Sequence, residues 1–139
     1  MKSKQVLSVE QMTHLKELRL DTSDASMCYC CFYGNIKEEW ELEIYEDVIN
    51  QKRDSTFWEI VPTYTFQDII ELLPKEIKVV TDTYYLTIST YDCDVWSIYY
   101  SMSDEFDYYK EFKSDSLIDA AYEMLCWCIE NGYIKINQL

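Results

Sequence analysis

The chain has 139 residues, with 26 Asp or Glu against 12 Lys or Arg and a formal charge of −14. A surface of that sign repels phosphate backbones and anionic lipid headgroups, which disfavours direct binding to nucleic acid or to a membrane surface. Hydrophobic residues make up 48% of the chain and thirteen are tyrosines. That is enough for one domain, 1–139, to bury roughly 70% of its extended-chain surface, and too much for an acidic disordered segment.

Residues Met1 to Glu10 lack the apolar run of a signal peptide, and no stretch reaches the roughly 20 apolar residues of a membrane span. The expectation is a cytoplasmic protein, in which the six cysteines at 28, 30, 31, 93, 126 and 128 are buried thiols and not disulfides. A first helix opens at Leu7 to Met12: Ser8 caps it, Gln11 completes a capping box, and Leu7 with Met12 forms a hydrophobic staple. Met12, Leu15 and Leu18 then give it a narrow apolar stripe.

Met27 to Tyr33 reads as a strand with Cys28, Cys30 and Phe32 on one face, and Gly34-Asn35 as the turn into a second strand with Trp40, Leu42 and Ile44 on one face. The opposite face then collects Tyr29, Tyr33, Glu39, Glu41, Glu43 and Tyr45, without a base. Asn50 to Ser55 reads as a polar loop, Thr56 to Val61 as a third strand ended by Pro62, and Phe66 to Leu73 as a helix capped by Thr65 and stopped by Pro74.

A hairpin follows, Tyr84 to Tyr91 and Val95 to Met102. Leu86 and Ile88 share a face with Trp96, Ile98 and Tyr100 only if the loop is odd-numbered, which pairs Leu86 with Tyr100 and Tyr91 with Val95. The other face is then Tyr85, Thr87, Ser89, Tyr91, Val95, Ser97, Tyr99 and Ser101. Asp104 to Lys113, with Tyr108 and Tyr109, reads as an acidic and aromatic connector. Ser116 to Asn131 is a helix apolar over more than half its circumference, capped by Ser114 or Ser116 and closed by Gly132. The order helix, three strands, helix, two strands, helix predicts an α+β fold in two layers, a mostly antiparallel sheet of about five strands packed against the buried C-terminal helix.

Little catalytic chemistry is expected from these residues, and no catalytic, cofactor-binding or metal-ligating residue is assigned. Neither Gly34 nor Gly132 sits in a phosphate-binding loop. His14, the single histidine, falls on the polar side of its helix with no nucleophile nearby. Cys126 and Cys128 lie about 200° apart on a helix and cannot chelate together. Asp92 with Asp94, and Asp104 with Glu105 and Asp107, read as solvated loop carboxylates.

The surface offers more. Tyr, Ser and Thr on a rigid strand face give amphipathic contact area at low entropic cost, so the candidate protein-binding face is Tyr85, Thr87, Ser89, Tyr91, Ser97 and Tyr99. Glu39, Glu41 and Glu43 join it if their strand continues the same face, with Tyr108 and Tyr109 beside it. The partner expected is a basic protein surface. Alternatives are a DNA mimic that occupies the site of a nucleic-acid-binding protein, a homodimer that uses the tyrosine face as its own interface, and an enzyme or metal-binding protein using Asp, Glu or Cys.

Three stretches, Leu20 to Met27, Thr65 to Pro74 and Leu117 to Ile134, together resemble a family of small acidic proteins encoded in Bacteroidales genomes, prophages and other mobile elements. The resemblance brings no activity, cofactor or site residue with it. It implies a cytosolic bacterial or phage protein, an accessory factor acting on a host partner.

Overall fold

The computed structural model describes residues 4–34, 39–92, 94–102 and 108–136. Helix α1 (Val9–Glu17) begins as its sequence dictates: the Ser8 hydroxyl accepts from the Gln11 amide at 3.1 Å while the Gln11 side chain accepts from the Ser8 amide at 2.9 Å. Leu7 and Met12, the two halves of the staple, are fully buried. At the other end the Leu20 amide donates to Leu15 and the Arg19 amide to Lys16, with Arg19 at φ 71° in the position where glycine is usual.

Strands β1 (Met27–Phe32), β2 (Glu41–Ile44) and β3 (Trp58–Thr63) form an antiparallel sheet in the order β2-β1-β3. Helix α2 (Tyr45–Gln51) replaces part of the expected strand and loop. It has one buried anchor, Val48, and no side-chain cap, so neither periodicity nor capping announces it. Pro62 lies inside β3 instead of ending it, which an edge strand tolerates. Helix α3 (Phe66–Leu72) carries a second capping box, between Thr65 and Asp68.

The second antiparallel sheet has the order β4-β5-β6-β7, from β4 (Glu76–Val79), β5 (Asp82–Asp92), β6 (Val95–Ser101) and β7 (Tyr108–Ser114). Leu86 pairs with Tyr100 as expected, but a bulge after Thr90 gives Val95 the partner Asp92 in place of Tyr91. The fold is α+β, with seven described strands in two sheets where about five in one were expected. Both additions flank the predicted hairpin: β4 follows Pro74, and β7 occupies most of the stretch read as a connector.

Helix α4 (Leu117–Glu130) lies against the second sheet and buries Ile118, Ala121, Met124, Leu125, Cys128 and Ile129. These pack with Met12 and Leu15 of α1, Ile69 of α3, and Ile98 and Tyr100 of β6 in one core. Ser116 caps the helix, and Gly132 at φ 79° closes it, with the Tyr133 amide donating to Cys128 at 2.8 Å and the Gly132 amide to Ile129 at 3.2 Å. Burial alone would raise the Asp119 carboxyl, but hydrogen bonds from Lys4 and Gln11 outweigh it and hold the group below the usual range, tying the N-terminal segment and α1 to α4. Among the described residues no helix is long and apolar enough to cross a membrane.

One turn works against its residue. Val79 pairs with Asp82, which leaves Val80 and Thr81 as a two-residue hairpin loop, and Val80 sits at φ 57° with 97% of its surface exposed. A β-branched residue gains nothing there from packing and strains in the left-handed region. Val80→Gly is expected to raise stability by about 1 kcal/mol, seen as a thermal midpoint a few degrees higher.

Candidate functional site

The small sheet has a closed side and an open side. On the closed side Cys28, Cys30 and Ile60 pack with Val48 of α2, and Tyr45 and Trp58 pack around them. The register places Glu43 opposite Cys28 and Glu41 opposite Cys30, so these carboxylates share the cysteine side and not the tyrosine side expected from alternation. Apolarity alone had matched Cys28 and Cys30 with Leu42 and Ile44. The chain instead enters α2 directly after Ile44, and the helix covers the cysteines.

Nor is that side without a base. Arg53, returning from α2, grips both oxygens of Glu43, one of them at 2.7 Å, and its guanidinium lies 4.6 Å from the Trp58 ring centre. The Arg53 hydrogen bonds hold the Glu43 carboxyl below its ordinary range.

Cys28 and Cys30 Sγ stand 3.7 Å apart. Burial pushes the Cys30 thiol up to about 12, and the Cys126 and Cys128 thiols up to about 11. A thiol so displaced supplies almost no thiolate near neutrality. Native protein treated with iodoacetamide at pH 8 is therefore expected to remain unalkylated at Cys28, Cys30, Cys126 and Cys128, with all four labelled after denaturation, as read by peptide mass spectrometry. Among the described residues no three His, Cys, Asp or Glu side chains come together as a divalent metal site would require.

The open side carries Met27, Tyr29 and Cys31 of β1, Leu42 and Ile44 of β2, and Glu59, Val61 and Thr63 of β3. Its β3 margin turns inward: Val61 packs on the main core, and the buried Thr63 hydroxyl donates to the Leu7 carbonyl at 2.7 Å. Its β2 margin does not. Trp40, Leu42 and Ile44 are 36%, 40% and 53% exposed, although alternation had marked them as a face to be buried. Trp40 meets Tyr29 edge to face, with ring centres 6.5 Å apart.

The row leads into a cleft of about 220 Å³ lined by Cys31, Phe32, Tyr33, Trp40 and Glu59. Of the residues lining it Glu59 is an exposed carboxylate, and Glu39, next to Trp40 in the chain, is exposed as well. Strand β2 has β1 as its one neighbour among the described residues, leaving its outer edge without a strand.

No family model, curated protein or solved structure matches this chain. Its candidate sites are defined by its own residues.

The tyrosine-bearing face of the second sheet is present, but its character differs from the expectation. Tyr85, Thr87, Ser89, Ser97 and Tyr99 lie on one face in the predicted register, while the Tyr91 side chain falls outside the described residues. The same register adds Glu76, Lys78, Glu111 and Lys113 to that face, two acids and two bases. Ser97 is fully buried and donates to Glu111 at 2.7 Å, and Tyr99 packs on Tyr108 with ring centres 4.3 Å apart.

Tyr109 points the other way. A bulge opposite Tyr100 and Ser101 makes it the extra residue of β7, and its ring stacks on Tyr84 at 4.9 Å and meets Trp127 of α4 at 5.7 Å. Its hydroxyl bonds the Tyr133 hydroxyl at 2.9 Å, and that contact, with burial, pushes the Tyr133 phenol up to about 12. The Glu39, Glu41 and Glu43 segment cannot continue the tyrosine face, because it belongs to the other sheet.

Proposed function

We propose that this chain is a non-enzymatic interaction protein that binds a basic protein partner through the open side of the β2-β1-β3 sheet. The observation that carries the reading is the row Trp40, Leu42 and Ile44, exposed on an edge strand, with Glu59 in the cleft beside Trp40. Contiguous exposed apolar surface with a polar rim is the usual anatomy of a protein contact. Long-range attraction between the −14 chain and a basic partner would speed encounter and make it salt-dependent.

A surface that imitates a phosphate backbone would need carboxylates where Trp40, Leu42 and Ile44 stand, so an apolar-centred protein contact is favoured over DNA mimicry. A cytoplasmic accessory role on a phage or other mobile element, directed at a host protein, accords with the sequence resemblance.

The test compares capture from bacterial lysate by the wild type and by Leu42→Lys, at low and at high salt. Leu42 is exposed, so the substitution leaves the fold intact. A basic protein held by the wild type at low salt, released at high salt and missed by Leu42→Lys is the expected result. Equal capture by both proteins would overturn the assignment of the face.

A further inference from the structure

We infer that Cys28 and Cys30, side by side beneath α2, form a two-thiolate site for copper(I). The inference is independent of the interaction face, which lies on the other side of the sheet. Residues two apart on a strand point the same way, so β1 itself holds the two sulfurs together. They stand 3.7 Å apart, on residues 0% and 1% exposed. Two sulfurs bound to one ion through bonds of about 2.3 Å are at most about 4.6 Å from each other, so a small opening of the pair admits the ion.

The surroundings select which ion. Val48, Tyr45, Trp58 and Ile60 pack around the pair, and Glu43, the carboxylate beside it, is held at both oxygens by Arg53. A divalent ion would need further ligands, and among the described residues no group of three His, Cys, Asp or Glu offers them. Copper(I) is soft, prefers thiolate sulfur, and is satisfied by two such ligands in a dry, apolar setting. The other described cysteines are differently placed. Cys31 faces the opposite side of β1, and Cys126 and Cys128 diverge around α4.

Charge and access fit the same ion. Binding releases the two thiol protons to solvent and leaves copper monovalent, so the loaded site carries one negative charge. The Arg53 guanidinium, 4.6 Å from the centre of the Trp58 ring that packs on the pair, is the cation beside it. The cover is weakly anchored: α2 has seven residues, one of them buried, and no side-chain cap. Such a helix opens more readily than the core does, which gives the ion its way in.

The probe is copper(I) itself, titrated without oxygen into the full chain in competition with the chelator bicinchoninate. The expected result is one ion per chain, two copper–sulfur bonds by X-ray absorption, and NMR amide shifts confined to β1, β2 and α2. Cys28→Ala and Cys30→Ala should each weaken binding about 100-fold or more, while Cys31→Ala and Cys126→Ala retain it. Arg53→Met should weaken binding about ten-fold and Glu43→Gln should tighten it. A merely structural role of that ion pair would move both variants in the same direction.

Full affinity in Cys28→Ala or Cys30→Ala, a nitrogen or oxygen ligand in place of the second sulfur, or amide shifts centred on α4 would overturn the inference. So would failure to compete with the chelator, or copper bridging two chains. Where an alanine variant does not fold, the sulfur count and the amide map of the wild type decide the matter alone.

Discussion

Leu125→Ala is expected to destabilise the protein by about 3 kcal/mol, lowering the thermal midpoint by about 10 °C. Leu125 is fully buried in the core that α4 forms with α1, α3 and the second sheet. Truncation there loses transfer free energy and leaves a cavity that neighbours such as Met124 and Ile98 can only partly fill. A domain stable by about 5–15 kcal/mol cannot absorb several such changes. Glu123→Ala, on the exposed face of the same helix, should shift stability by no more than about 0.5 kcal/mol. Urea denaturation of the two variants measures both; similar losses would show that α4 is not a buried element.

Arg53→Met is expected to cost about 2 kcal/mol at pH 7. The Arg53 and Glu43 side chains are 16% and 28% exposed, and removal of the guanidinium leaves a carboxylate beside Cys28 and Cys30 with its strongest partner gone. The cost is set below that of a fully buried pair because water still reaches both groups. Arg53→Met with Glu43→Gln should recover part of the loss, since no charge is then stranded.

The pH dependence has a definite sign. Arg53 lowers the folded-state pKa of Glu43, so the unfolded chain takes up this proton first as pH falls. The pair's contribution is complete above the ordinary Glu value of about 4.3 and is lost as pH drops through the folded-state value. The stability gap between wild type and Arg53→Met should therefore narrow between pH 7 and pH 3. A gap that stays constant would assign the loss to packing of the Arg53 stem on Trp58.

What the sequence makes legible is what local chemistry decides. Ser8 with Gln11, Thr65 with its following turn, and Gly132 after a long apolar helix each act within a few residues, and the structure forms all three. The Leu86–Tyr100 register is equally local, because a hairpin has few ways to put five apolar side chains on one side. Choices made by distant partners are harder to read. Tyr108 to Ser114 alternates too weakly to show a strand until β6 pairs with it, and the bulge that turns Tyr109 toward Trp127 has no signature of its own.

The exposure of the face proposed for binding was not legible for the same reason. Both sides of β1 and β2 carry residues that could be buried, cysteines on one and Tyr29, Leu42 and Ile44 on the other, and alternation cannot say which side a helix will cover. The placement of α2 over Cys28 and Cys30 decides it and leaves Trp40, Leu42 and Ile44 outside. A row of large apolar residues immediately before a seven-residue helix with one apolar anchor was the available signal.

The most direct test of the account is site-specific photocrosslinking, with a photoreactive phenylalanine derivative substituted at Leu42 on the small sheet or at Thr87 on the tyrosine-bearing sheet, irradiated in lysate at low salt. The account predicts a discrete adduct with a basic protein from position 42 that disappears at high salt, and none from position 87. An adduct from position 87 with none from position 42 would contradict it and place the contact on the second sheet.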